Sequence, residues 1–149
     1  PLVCTLQNSY SLINRIVELG MTEIFFREKL SFFSYSPLGF GHLSGKYLKD
    51  PKAVGRVNLF PGYAQRYNKS GVKKAIEKYD ALAAKRNVSL TDLALSFVYS
   101  QWFVTSTVIG ATNMNQLKQN IAAYGLDIVD EELIQEIDAI HLHVMNPAP

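Results

Sequence analysis

The stretch IGATNMNQLKQN, residues 109–120, passes from β-branched and apolar residues through Gly110 into a polar run and then a helical rhythm. A helix start presents unpaired N–H groups and roughly half a positive charge, so this junction is a ready anion site. Gly110 lets a ligand approach the backbone closely. Thr112, Gln116 and Asn120 add hydroxyl and amide groups, and i, i+4 spacing puts Gln116 and Asn120 on one face. A phosphate or the edge of a nucleotide suits such a corner. Thr112 and Asn113 also serve simply as helix caps, which on this segment alone is the simpler reading. A second concentration of chemistry lies in residues 40–71. It carries the cations Lys46, Lys49, Lys52, Arg56 and Arg66 and the aromatics Tyr47, Phe60, Tyr63 and Tyr67. The aromatics argue against plain disorder. A loop this long either folds over a ligand or is a mobile surface segment, and both readings stay open.

Other residues with chemical potential carry less. His141 and His143 form an H-x-H without carboxylate or thiolate neighbours, so no metal is expected. Two histidines near a helix C-terminus answer more simply to the macrodipole. His42, in a glycine-rich run, is expected to be solvated. Tyr10, Tyr47, Tyr63 and Tyr67 read as packing residues with polar tips. Trp102 and Phe103 are expected to pack at the base of a strand. Cys4 sits in an apolar run and reads as an inert buried thiol.

The elements that must position these residues follow from periodicity. Residues 2–6, 30–35 and 103–109 are β-branched, apolar or aromatic and end in polar residues or glycine, as strands do. Residues 22–29 form a short helix. Residues 72–86 place Val72, Ile76, Tyr79, Leu82 and Ala83 on one face. Ser89 with Asp92 three residues on has capping-box spacing and opens a helix to about residue 100. Asn113 caps the next helix, which Gly125 stops, and Asp130 opens the last, with Leu133, Ile134, Ile137 and Ile140 inward. The order β–α–β–loop–α–α–β–α–α predicts an α/β fold with a parallel sheet.

Composition sets outer limits. The 149 residues suffice for one domain with a real core. A net charge of +2 gives no reason to expect nucleic acid or an acidic membrane as partner. No apolar run reaches the length of a membrane span. A lone cysteine, and no basic region before an apolar core at the N-terminus, fit a cytoplasmic protein.

Three segments gain meaning when read together: LQNSYSLINR (6–15), YSPLGFGHLSGKY (35–47) and IGATNMNQLKQN (109–120), in order and at strand ends. Together they resemble the C-terminal portion of an aldo-keto reductase, nearest the branch of Tas-like bacterial oxidoreductases and potassium-channel beta subunits. The resemblance covers essentially the whole chain. It implies a partial (β/α)8 TIM barrel, strands six to eight with their helices, forming the cofactor-binding side over residues 1–149. Residues 40–71 would be a long cofactor-covering loop. It implies NADP(H) as cofactor and an aldehyde or ketone as substrate. Gln7 matches the glutamine that bonds the nicotinamide carboxamide, and Tyr35 the aromatic that stacks on the ring. Ser36, Pro37, Leu38, Gly39 and Phe40 match the backbone run along the pyrophosphate. Lys46 and Arg56 match basic loop residues near the phosphates. Gly110, Thr112, Gln116, Gln119 and Asn120 match the segment holding the adenosine end and its 2′-phosphate.

One departure and one gap stand out. Many family members carry lysine and arginine where Gly110 and Gln116 stand, so NADP(H) is the expected cofactor but NADH use stays open. The family's catalytic Asp, Tyr, Lys and His lie on earlier strands, and no residue of this chain is assigned a catalytic role. A full barrel takes about 250 residues. The chain is therefore expected to be a fragment, inactive alone, that pairs its open edges with another copy or with the missing N-terminal part. (Pro1 is what removal of an initiator methionine from MPLV would leave.) The alternative reading is a non-catalytic nucleotide-binding or assembly module.

Overall fold

The computed structural model describes residues 3–60, 62 and 64–149. Expectations that fall on Pro1, Leu2 and Tyr63 lie outside the described residues. The order is β1 (Thr5–Ser9), α1 (Met21–Glu28), β2 (Ser31–Tyr35), α2 (Lys46–Lys49), α3 (Arg56–Leu59), α4 (Ser70–Lys85), α5 (Leu90–Tyr99), β3 (Val104–Val108), α6 (Met114–Ala122) and α7 (Glu131–His143). The strands form one parallel sheet in the order β1-β2-β3. Gln7 lies opposite Phe33, and Tyr35 lies opposite both Ser9 and Val108. The register slips between Phe32 and Phe33. There the Thr105 hydroxyl accepts the Phe32 N–H at 3.2 Å, supplying a side-chain partner where the ladder is interrupted.

Side-chain alternation gives the sheet two unlike faces. Phe32 and Ser34 of the central strand are buried, whereas Ser31, Phe33 and Tyr35 between them are only half-buried. On the flanking strands Thr5, Gln7, Ser106 and Val108 are exposed. All-parallel sheets are normally covered on both faces. Here the described residues leave one face open, and β1 and β3 each pair on one side only. That arrangement is consistent with part of a (β/α) barrel.

An aromatic nucleus fills the covered side. Phe32 stacks on Phe25 at 5.0 Å between ring centroids, Tyr10 stacks on Phe97 at 5.8 Å, and Phe103 meets Tyr10 edge-on at 5.2 Å. Val72, Ala75, Ile76, Tyr79, Leu82 and Ala83 of α4 join this core, as do Leu133 and Ile137 of α7. Caps fix where helices begin. Asp92 N–H donates to Ser89 Oγ, Gln116 N–H to Asn113 Oδ1 and Leu133 N–H to Asp130 Oδ1. Such caps contribute about 1 kcal/mol each.

An ion cluster ties α7 to the segment after β1. Arg15 makes two 2.7 Å bonds to the Glu18 carboxylate and one to Asp138, and its guanidinium lies 5.2 Å from the centroid of Phe97. Tyr10 donates its hydroxyl to Glu18, and burial beside that carboxylate pushes the Tyr10 phenol far up. The chain's last residues close over the same place. Arg15 N–H donates to Asn146 Oδ1 at 2.6 Å, and Ala148 N–H donates to the Ile13 carbonyl at 3.1 Å. On the outer surface Arg86 reaches Asp130, Glu132 and Glu136, joining α4 to α7, but exposed pairs of this kind contribute little.

Several expectations need correction. The first strand is Thr5–Ser9, not 2–6, so Gln7 lies within it; backbone pairing with β2, not side-chain apolarity, sets its span. Cys4 is exposed, just before that strand, rather than buried. Trp102 is exposed, meeting the rings of Phe26 and Phe103 edge-on, while Phe103 enters the core. Helix α6 ends at Ala122 and a 3-10 turn, Ala123–Gly125, follows. Residues 40–71 are not structureless: α2, α3 and 3-10 turns at Gly39–Ser44 and Gln65–Tyr67 punctuate them. His42 is half-buried with its Nε2 enclosed, rather than solvated, and His141 is half-buried. Burial and the Arg15 cation lower the His141 pKa, outweighing a helix C-terminus that favours the proton. No described helix is long and apolar enough to cross a membrane.

Candidate functional site

The carboxyl ends of β2 and β3 open into a cavity of about 730 Å³. Its first wall is the turn after β2, formed by Tyr35, Ser36, Pro37, Leu38, Phe40 and Gly41. This backbone coils tightly: Gly39 N–H donates to Ser36 and Gly41 N–H to Leu38, both at 2.9 Å. The coil requires positive φ at Ser36, Gly39, Phe40 and Gly41. A non-glycine residue there costs roughly 1–2 kcal/mol, so something must hold Phe40. Its ring contacts Tyr67 at 5.4 Å, and the Arg56 guanidinium lies 5.8 Å from its centroid. Left-handed backbone of this kind clusters at binding sites, where surrounding contacts hold it.

The second wall runs from Val108 through Ile109, Gly110, Ala111 and Thr112 into α6, with Gln116 and Asn120. Thr112 donates both its N–H, at 2.9 Å, and its hydroxyl, at 3.0 Å, to Gln116 Oε1. Asn120 donates to the Gly110 carbonyl at 3.2 Å. The two amides expected to face a ligand thus also brace the turn that forms the wall.

A strap crosses between the walls: Lys46, Val54, Gly55, Arg56, Leu59 and Phe60. Lys46 Nζ donates to the Val54 carbonyl at 3.3 Å and sits 4.7 Å from the Tyr47 ring centroid. A Cβ on Gly55 would fall 2.1 Å from Tyr47 Oη and 2.5 Å from Lys46 Nζ, so a larger residue there would displace the tips of both side chains. Lys46 and Arg56 are cations, and no aspartate or glutamate lines the cavity among the described residues. With the amino end of α6 at the second wall, the chamber suits an elongated anion. Tyr35, at its margin, offers a flat face for a planar ring.

His42 stacks on Tyr67 at 5.3 Å between ring centroids and meets the Tyr47 ring, tilted, at 4.9 Å. Its Nε2 and the Tyr47 hydroxyl are buried without a hydrogen-bond partner among the described residues. Burial, with the Lys46 charge second, lowers its pKa from the ordinary 6.5 to about 4. Unfolded chains take this proton near pH 6.5 and the folded protein only near 4. Between those values the unfolded state holds more protons, so stability falls as pH drops through that window. Allowing for partial exposure, the loss is about 1–2 kcal/mol by pH 4. Urea midpoints of His42→Phe should fall less steeply between pH 6.5 and 5 than those of the parent chain. An unchanged slope would place the effect elsewhere.

The structure brings Tyr35, Ser36, Pro37, Leu38, Phe40, Lys46, Arg56, Gly110, Thr112, Gln116 and Asn120 to one cavity. Gln7, Gly39 and Gln119 do not line it. Gln7 is exposed on the open sheet face opposite Phe33. Gly39 is buried, its Cα side 2.9 Å from Ile13 Cδ1 once a Cβ is built. Gln119 donates its amide to Ser89 and Asp92 at the start of α5. Gly41, Val54, Gly55, Leu59, Phe60, Val108, Ile109 and Ala111 line the cavity without having been expected there. Of these, Phe60 stood among the aromatics of residues 40–71, and Gly41, Ile109 and Ala111 lie within the quoted motifs; Val54, Gly55, Leu59 and Val108 carried no signal of their own.

Residues 2–141 match the family model described as the Aldo/keto reductase family. The whole chain is 40% identical to Protein tas of Escherichia coli (strain K12), of which it spans 43%. It is 36% identical, over 96% of its length, to an Aldo-keto reductase of Babesia bovis, covering 53% of that protein. A probable voltage-gated potassium channel subunit beta of Oryza sativa subsp. japonica is 30% identical over 90% of the chain, which covers 42% of it. The chain therefore spans about half the length of these curated relatives.

Proposed function

Because the chain belongs to the aldo/keto reductase family, we propose that this cavity grips the nicotinamide dinucleotide, NADP(H) first, of an enzyme that reduces aldehydes or ketones. The observation that carries this reading is the chamber itself: two cations and, among the described residues, no carboxylate, between the coil that follows Tyr35 and the start of α6. The dinucleotide, when bound, supplies the hydride. The residues of this chain bind and orient it. Lys46 and Arg56 neutralise phosphate charge, and the strap that carries Arg56 excludes water from the chamber. Tyr35 limits ring access to one side. Gln7, on the same sheet face as Phe33 and Tyr35, offers a donor and an acceptor to a carboxamide. The three strands take the place of barrel strands six to eight, and the open sheet face takes the remaining strands. A reductase of this kind draws on a cytoplasmic cofactor pool. The alternative, a non-catalytic nucleotide-binding or assembly module, shares the chamber; the family match and reductase relatives favour the enzyme.

The 149-residue chain alone is expected to bind NADPH in calorimetric titration yet show no turnover of a generic aldehyde. Light scattering of the same sample should show more than a monomer at micromolar concentration, since two strand edges and one face stand open. Absence of binding at millimolar NADPH removes the cofactor-site reading. Measurable turnover removes the assignment of the chemistry to residues outside this chain, and a stable monomer removes the pairing.

A further inference from the structure

Two side chains beside the chamber hold buried polar atoms that no described residue satisfies: His42, at Nε2, and Tyr47, at its hydroxyl. They belong to one aromatic cluster, with 4.9 Å between their ring centroids and the His42 ring stacked on Tyr67. From this cluster the contacts lead to the strap. A Cβ built on Gly55 would fall 2.1 Å from Tyr47 Oη, so the phenol tip rests against the strap backbone. Lys46, next to Tyr47 in sequence and over its ring, donates to the Val54 carbonyl. The strap adds no buried anchor of its own, since none of residues 49–60 is buried. A segment held by so few contacts opens locally at small cost.

A proton on His42 would be a charge in a place that leaves even neutral polar atoms unpaired. The charged groups around the ring do not help it. Lys46 on α2 opposes it, and the other neighbours are cations too: Arg66 bonds the Tyr67 hydroxyl, and Arg56 lies against Phe40. The carboxylates that α4 and α5 bring toward this turn lie elsewhere. Asp80 stands beside Gly45, and Asp92 bonds Ser89 and Gln119.

We propose that His42 is a proton switch for the strap, and so for access to the cofactor chamber. Neutral, it stays enclosed, and Tyr47 rests on Gly55 with the strap closed. Protonated, it leaves the aromatic cluster for water and takes Tyr47 and the strap out of contact. The role in dinucleotide release rests on the cofactor reading above; the opening of the strap does not. Enclosure holds the His42 pKa at about 4 against the ordinary 6.5, which caps the change in strap opening between pH 7 and 5 at about 20-fold.

Hydrogen exchange of the free chain, corrected for the intrinsic pH dependence of exchange, reads the opening directly. The hydrogen-bonded amides of Leu48, Asp50 and Leu59 report on the strap, and those of α4 on the whole fold. At pH 7 the strap amides should be protected, but about 100-fold or more less than α4. Their protection should fall about tenfold between pH 7 and 5 in the parent and by less than about twofold in His42→Phe, which keeps a ring on Tyr67 and cannot titrate. His42→Gln, which keeps a polar end, repeats the comparison independently of ring packing. Strap amides unprotected at pH 7, protected equally with α4, or as sensitive to pH in both variants as in the parent each overturn the switch. Stopped-flow dissociation of NADP+ carries the consequence to the site. It should quicken about threefold or more over the same pH change in the parent beyond any change in the variants, which share the cofactor's own titrating 2′-phosphate. Equal changes in all three chains overturn the control of release. Failure of NADP+ to bind at pH 7 removes the cofactor reading, and the exchange result alone then decides the switch.

Discussion

NADPH is expected to bind the double variant Lys46→Met/Arg56→Met at least about 100-fold more weakly than the parent chain, from two charge-assisted contacts of about 1.5–3 kcal/mol each. Methionine retains most of each apolar stem, so packing on Tyr47 and Phe40 survives and charge is the variable that changes. The cavity makes these two residues decisive because no acidic residue lines it to compete for them among the described residues. Lys46 must exchange the Val54 carbonyl for a phosphate oxygen, so its net gain is smaller than that of Arg56, which has only the Phe40 ring to keep. The single variants should rank accordingly, Arg56→Met losing more than Lys46→Met. Salt gives an independent reading. Raising ionic strength should weaken NADPH binding to the parent and affect the double variant much less. Equal affinities for parent and double variant would mean that the strap cations do not meet the phosphates.

Much of this architecture could be read from residue types because local chemistry decides it. Ser89, Asn113 and Asp130 cap their helices as expected, since a short side-chain oxygen satisfies a nearby N–H without tertiary help. The buried stripe of α4 follows from a 3.6-residue period. Three parallel strands follow from their alternation with helices. What could not be read depends on contacts distant in sequence. The close approach of Tyr47 Oη and Lys46 Nζ to Gly55 comes from residues eight and nine positions earlier. The short turns of residues 40–71 are too brief to show a period and stand on packing around Tyr67 and His42. Cys4 and Trp102 are apolar by type, but no element covers them fully. At the site, residue type announced Gln116 and Gln119 alike. Only the fold reveals that one braces the chamber wall while the other turns toward α5.

Phe32→Ala should destabilise the chain by about 3–5 kcal/mol, against a total on the order of 5–15 kcal/mol for a domain. Phe32 is wholly buried on the central strand and touches three rings, Phe25, Tyr10 and Phe103, drawn from α1, the turn after β1 and the start of β3. Neighbours anchored in three separate elements cannot all collapse into the space of one lost ring, so the cavity term adds to the transfer term. In urea the midpoint should fall by about 1–3 M. Phe33, one residue on, points to the open face and is only half-buried. Phe33→Ala should cost the dilute chain less than about 1.5 kcal/mol. The contrast separates the interior from the surface that awaits a partner. The loss at Phe32 belongs to each copy and is independent of protein concentration, whereas a loss at Phe33 should grow as copies associate and cover that face. Equal, concentration-independent losses at the two positions would show that both faces of the sheet are already covered within one chain, contrary to the open face described above.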